Sequence, residues 1–211
     1  MQFTAEQVWS LAVAADRING GYLKEDEWLP NATPPCRGRE ANKKMVKDWL
    51  RAGAFSEATA EDIKQGQEIR HYFNGLLLKE LSGKINDFER QALRIAQKDE
   101  FTGRDMLDFA IISCLPAAML REESRKELDS EIRSSTQLSA AVGDRVQGEI
   151  EVIKSFYSKD YNKFRITAKL GDSFVDFWFG TALEGRVGIK GKVKAQRGNN
   201  TTQLNFVKTT G

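Results

Sequence analysis

Apolar positions in the first 120 residues recur every three or four places, and after Gly143 they recur every second place. The first spacing lays an apolar stripe along a helix, and the second fills one face of a strand. Thr4 and Gln7 form a T-x-x-Q capping box, opening a helix that buries Val8, Leu11, Ala12 and Ala15 and stops at Gly20-Gly21. Residues 22–38, with three prolines, read as irregular. A second helix is expected over 39–52, with Met45, Trp49 and Leu50 on one side and Gly53 at its end. Thr59 with Asp62 starts a third helix, whose stripe is Ile63, Ile69, Phe73 and Leu77. Asn86 caps a fourth helix carrying Phe88, Leu93 and Ile95. Thr102 with Asp105 starts a fifth, through Phe109, Ile112 and Leu115, which Pro116 bends or divides. The run REESRKELDSEIR at 121–133 reads as a solvated helix laced with i,i+4 charge pairs, and SSTQLSAA at 134–141 as a small polar linker.

Beyond Gly143, Val146, Ile150 and Val152 alternate with polar residues, as do Phe164, Ile166, Ala168 and Leu170. A turn at Gly171-Asp172 leads to Val175, Phe177 and Phe179, which alternate with Phe174, Asp176 and Trp178. Val187, Ile189, Val193 and Ala195 alternate with Arg186, Lys190, Lys192 and Lys194, and a last strand runs over 202–208. Five short strands with glycine at the bends predict a small closed barrel.

Composition shifts at the same boundary. All four prolines precede Gly143, while nine of the 17 glycines lie from Gly143 onward. The net charge of +2 conceals an asymmetry: residues 143–211 carry +5 and residues 1–142 carry −3. From Arg186 to Lys208 there are six cations and no acid, a pattern that suits an acidic partner. No apolar run is long enough for a membrane helix, and the N-terminus has no basic, apolar leader pattern. Two distant cysteines, Cys36 and Cys114, fit a reduced cytoplasmic protein. With a single histidine, His71, neither a zinc site nor a thiol–imidazole pair is expected. No phosphate-binding glycine loop occurs. The acids Asp87, Glu89, Asp99, Glu100, Asp105 and Asp108 read as solvated helix faces rather than a metal site. Trp9, Trp28 and Trp49 read as core anchors, Cys36 as a loop thiol and Cys114 as core.

The strings GDRVQGEIEVIKSFYSKDYNKFRITAKLGDSFVDFWFG and GRVGIKGKVKAQRGNNTTQLNFVK resemble an OB-fold: a long first strand entering a bulge, a hairpin around Gly-Asp and a GIKGKVK fourth strand. The arrangement is similar to OB-fold single-stranded-DNA-binding proteins, including those of bacteriophages. It covers the last third of the chain, and the helical part is unmatched. The fold class expected is therefore α+β: a helical domain at 1–134, a linker at 135–142 and a five-stranded OB-type barrel at 143–211.

Alternation also sorts the chemistry. If Val175, Phe177 and Phe179 fill the barrel, then Phe174 and Trp178 face outward, as do Lys163, Arg165 and Lys169 on the neighbouring strand. Rings for base stacking among cations for phosphates are what a single strand requires. The loop 155–162, SFYSKDYN, adds Phe156, Tyr157, Lys159 and Tyr161, with Lys154 before it. Lys190, Lys192, Lys194 and Arg197 complete the basic set. Two plainer readings stand beside this one: Trp178 or Phe174 packs against helices, and the three lysines only protect an edge strand from aggregation. The function expected is non-enzymatic binding of single-stranded DNA or RNA, without cofactor or metal. The resemblance favours DNA and an accessory role in replication, recombination or transcription, in a host cytoplasm if the protein is phage-encoded. The helices would then contact a replication or transcription protein or support homo-oligomers. The alternative is a protein–protein adaptor.

Overall fold

A computed structural model describes residues 1–29 and 36–210, so Pro30, Pro34 and Pro35 of the expected irregular stretch lie outside the described residues. The chain forms two compact units, Met1–Glu123 and Ser124–Gly211.

The first unit contains β1 (Gln2–Thr4), α1 (Ala5–Asn19), β2 (Trp28–Leu29), β3 (Cys36–Arg37), α2 (Asn42–Ala52), a 3-10 turn (Phe55–Glu57), α3 (Ala60–Asn74), α4 (Leu77–Leu81), α5 (Asp87–Ala96), β4 (Glu100–Thr102) and α6 (Met106–Ile112). Next comes α7 (Leu115–Ser134), within which the division between units falls. The capping box expected at Thr4 forms, and the helix starts expected at Thr59 and Asn86 form boxes as well. The Thr4 hydroxyl accepts from Gln7 N while Thr4 N donates to the Gln7 side chain, and Thr59 with Asp62 and Asn86 with Glu89 do the same. Gly20 and Gly53 end α1 and α2 in the left-handed conformation that favours glycine.

Helix α1 is the centre of this unit. Val8, Trp9, Leu11, Ala12 and Ala15 are buried among residues such as Leu50, Ile69, Phe73, Ile95, Phe101 and Ile112. Helix α3 crosses α1 at Gly66, where a Cβ would stand 3.0 Å from Ser10 N and from the Trp9 carbonyl carbon. The absent side chain is thus what allows the close approach.

Several sequence expectations are corrected here. Leu77 is exposed at the head of α4, a helix the periodicity does not show, because the chain turns at Gly75. Ile63 is only half-buried, and Phe88 is exposed. Trp28 is no core anchor: it is 59% exposed on β2, which pairs with β3 through Leu29 and Cys36. Thr102 does not start a helix, because it ends β4 opposite Gln2. Asp105 accepts from Thr102 N at 2.6 Å, and the helix begins at Met106. Asp108 is buried rather than solvated and is held by Arg94 and Lys98. Pro116 marks a division. Helix α6 stops at Ile112, and α7 places the proline in its first turn, where no N–H partner is needed.

The second unit is the expected barrel: β5 (Arg145–Ser158), β6 (Lys163–Leu170), β7 (Ser173–Phe179), β8 (Arg186–Gln196) and β9 (Thr201–Thr210). The order β5-β6-β7-β9-β8 closes on itself, and every pair is antiparallel except the parallel β7–β9 pair. This is an OB-type barrel, and the protein is α+β. Its interior holds Ile150, Ile166, Ala168, Val175, Phe177, Ile189, Val193 and Leu204, the alternating residues of each strand.

The compact units meet at Glu123–Ser124, earlier than the polar segment 135–142 suggests. That segment is bonded to the barrel. Gln196 Nε2 donates to the carbonyls of Leu138 and Ala140, Asn200 Nδ2 donates to those of Arg133 and Ser135, and Leu138 and Ala140 pack on the barrel core. Barrel side chains thus hold the backbone carbonyls of this segment in place. Among the described residues no helix is long and apolar enough to cross a membrane, and no cluster of metal-ligating side chains occurs.

Candidate nucleic-acid interface

Strands β5 and β6 form a longer hairpin than the sequence suggests. Ser155–Ser158 are not loop; they pair with β6 from Ile166 to Lys163, leaving a turn of only Lys159–Asn162. A bulge at Ile153 sets this phase, since Val152 faces Ala168 but Lys154 faces Thr167. Lys154 and Phe156 thereby share the outer face with Arg165, whereas Tyr157 falls on the side of Phe164, with ring centroids 5.2 Å apart.

The outer face of β6–β7 divides into two zones. In the first, the outward residues are covered. Phe174 is 1% exposed, so it cannot serve as a stacking platform. The ammonium of Lys169 lies 5.5 Å from its ring centroid, and that ammonium is paired with Glu131 of α7. The Glu131 carboxylate holds Lys169 above its ordinary pKa. The packing alternative thus applies to Phe174, within the barrel unit itself. Lys154 and Phe156 line a separate cavity with Arg125, Asp129 and Ile132 of α7, apart from Trp178.

The second zone is open. Trp178 is half-buried and stacks obliquely on Tyr161, with centroids 4.7 Å apart and planes at 37°. Its ring neighbour is therefore Tyr161, not Phe174 or Tyr157. Tyr161 is 65% exposed, and a groove runs past it, lined by Lys163, Arg165, Trp178, Lys194, Arg197 and Gln203. Beneath it, Asp176 is buried and accepts from Arg165 at 3.2 Å, with Arg197 at 3.3 Å from the same oxygen. These two guanidiniums are partly neutralised, while Lys163 and Lys194 are not.

The three lysines of β8 are distributed, not clustered. Lys194 lies with Trp178, but Lys190 and Lys192 line a further stretch with Arg145, Gln147 and Lys208. The edge-strand alternative does not fit Lys190 and Lys192, because β8 pairs with β5 on one side and β9 on the other at both. Among the described residues Arg145, Lys154, Lys159, Lys163, Lys190, Lys192, Lys194 and Lys208 make no ion pair.

Sequence reasoning missed Phe206, which is 80% exposed and borders both the Trp178 groove and the Lys190–Lys192 stretch. A signal for it was present. Strict alternation from Thr202 and Leu204 would drive both Phe206 and Lys208 inward, and avoiding the burial of a lone lysine requires a change of phase between Leu204 and Lys208.

Comparison with protein-family models, with curated proteins and with solved structures finds no match.

Proposed function

We propose that the barrel unit binds single-stranded nucleic acid, DNA being the form favoured by its sequence resemblance to OB-fold single-stranded-DNA-binding proteins. One observation carries this reading: the Tyr161–Trp178 ring pair lies in an open groove beside Lys163 and Lys194, which have no acid partner among the described residues. An exposed ring offers a π-face to any base, and an unpaired ammonium beside it is free for a phosphate. A duplex hides its base faces, so this arrangement selects single strands. No catalytic group enters the reading, and the protein acts by capture. The free thiols Cys36 and Cys114 are in keeping with a reducing cytoplasm.

The test is a titration of labelled single strands and duplexes at several salt concentrations. Single strands are expected to bind more tightly, with log affinity falling linearly in log salt by about 0.7 per phosphate contacted. Salt-independent or absent binding would discard the proposal and leave the adaptor reading.

A further inference from the structure

We propose that Phe206 is a second base-stacking position, placed by a β-bulge so that a bound strand continues from the Trp178 groove across β9 and β8. This rests on the reading of the barrel as a single-strand binder.

The backbone carries the first part of the inference. Lys190 faces Lys208, but Lys192 faces Asn205, so Phe206 and Val207 together stand opposite Gly191. The extra residue reverses the phase of the strand. Leu204 is buried, Val207 joins the residues packed on the core, and Phe206 is turned outward. Phe206 adopts φ 51°, in the left-handed region where a bulky side chain is strained. Gly191 accommodates the bulge, since a Cβ there would stand 3.1 Å from Val207 Cγ2. A phenylalanine that is both strained and 80% exposed stabilises nothing in the folded barrel. Glycine would occupy the position more easily, so the ring itself needs another explanation.

Its surroundings supply one. Phe206 shares one groove with Trp178, Lys163 and Lys194. On its other side are Arg145, Lys190, Lys192 and Lys208. A second register shift in the same ladder, between Val193 and Ala195, makes Lys194 the extra residue on β8. The two inserted residues are therefore one ring and one cation, and both line the same groove. Bulges commonly re-aim a side chain toward a ligand, and here a pair of them presents the two chemical elements a single strand requires.

The test compares Phe206→Gly and Trp178→Ala in the full-length protein, using oligonucleotides of about 4 and about 16 nucleotides, the limits of a single barrel's site size. Phe206→Gly should unfold at the same or higher denaturant concentration than the parent, because it relieves the left-handed strain. It should weaken the long strand roughly 5- to 140-fold, the equivalent of one lost stack, and leave the short strand unchanged. Trp178→Ala should weaken both lengths. Phe206→Tyr, which keeps the ring, should restore long-strand binding. Unchanged affinity of Phe206→Gly at both lengths, with Trp178→Ala impaired, would overturn the second position and leave the first intact. Equal losses at both lengths would also overturn it, since Phe206 would then belong to the Trp178 site. If Phe206→Gly does not fold, Phe206→Asn, which tolerates the same backbone, replaces it under the same criteria. A parent protein that binds neither length fails the underlying reading instead.

Discussion

The helical unit and the barrel treat their cations differently. In the helical unit Arg17 pairs with Asp62, Lys79 with Glu89, Arg94 with Asp108, and Lys98 with both Asp105 and Asp108. Arg70 reaches the carbonyls of Ala96 and Lys98 at the end of α5, and also Asp99. These side chains join helix ends and turns, so their charge has a structural use. On the barrel, Lys163, Lys190, Lys192 and Lys194 project from strands of the closed sheet, and no acid answers them among the described residues. A cation with an internal partner contributes to the fold. One held on a rigid strand without a partner is free for an external anion.

The largest expected effect comes from removing the unanswered charges. Replacing Lys190, Lys192 and Lys194 together with glutamine should leave the denaturation curve near that of the parent. It should also flatten the salt dependence of strand binding by about 2, which at 0.1 M salt is about a hundredfold in affinity. A full slope in the folded variant would show that these lysines serve solubility only.

Asp176 is where the barrel resembles the helical unit, and Asp176→Asn sharpens the contrast. Freeing Arg165 and Arg197 from their shared carboxylate should tighten strand binding a few-fold and steepen the salt slope by up to about 1.4, two phosphate contacts' worth. The same change should lower unfolding stability by about 1 kcal/mol, through the lost charge-assisted bonds. Titration and denaturation of one variant measure both, and weaker binding would mean that Asp176 positions the arginines rather than competing for them.

The smallest effect is one of pH, and it belongs to the helical unit. The Lys98 ammonium and the Thr102 N–H hold the Asp105 carboxyl down at about 2. Burial pushes Asp62 and Glu89 up, but the bonds from Arg17 and Thr59, and from Lys79 and Asn86, outweigh it, so both lie below the usual carboxylate range. Groups depressed in the folded state contribute stability that is complete above their unfolded values of about 4 and is lost as pH falls through the folded ones. The denaturant midpoint of the helical signal should therefore decline from about pH 4 toward about 2. Asp105→Asn should remove the lower part of that decline, and a midpoint constant across the window would deny these pairs a role.

Much of this architecture is legible in the sequence, for local reasons. Capping boxes are short-range devices, and those at Thr4, Thr59 and Asn86 form because nothing competes for them. The fourth candidate fails because a distant segment, β1, claims Thr102 for a strand pair. The barrel is legible because burying one face of every strand enforces period two. Where alternation is unbroken, as on β6 and β7, it assigns inward and outward residues correctly. It does not say whether an outward residue reaches solvent, which is why Phe174 is misplaced and Trp178 is not. Bulges break the alternation and re-aim Tyr157 and Phe206, and their positions depend on pairing with a partner strand that one strand's own sequence does not show.

Closure of a barrel fixes the total stagger accumulated around its strands. A lone insertion in the β8–β9 ladder would change that stagger and oblige every other pair to slide. Two insertions on opposite strands cancel: Gly188 opposite Thr210 and Gln196 opposite Thr202 belong to a single register, although the pairs between them do not. The detour is therefore confined to a short patch of wall, and the rest of the cylinder closes as though it were absent. Deleting Phe206 or Lys194 alone would transmit a slip around the whole circumference, whereas deleting both would leave a plain and continuous ladder.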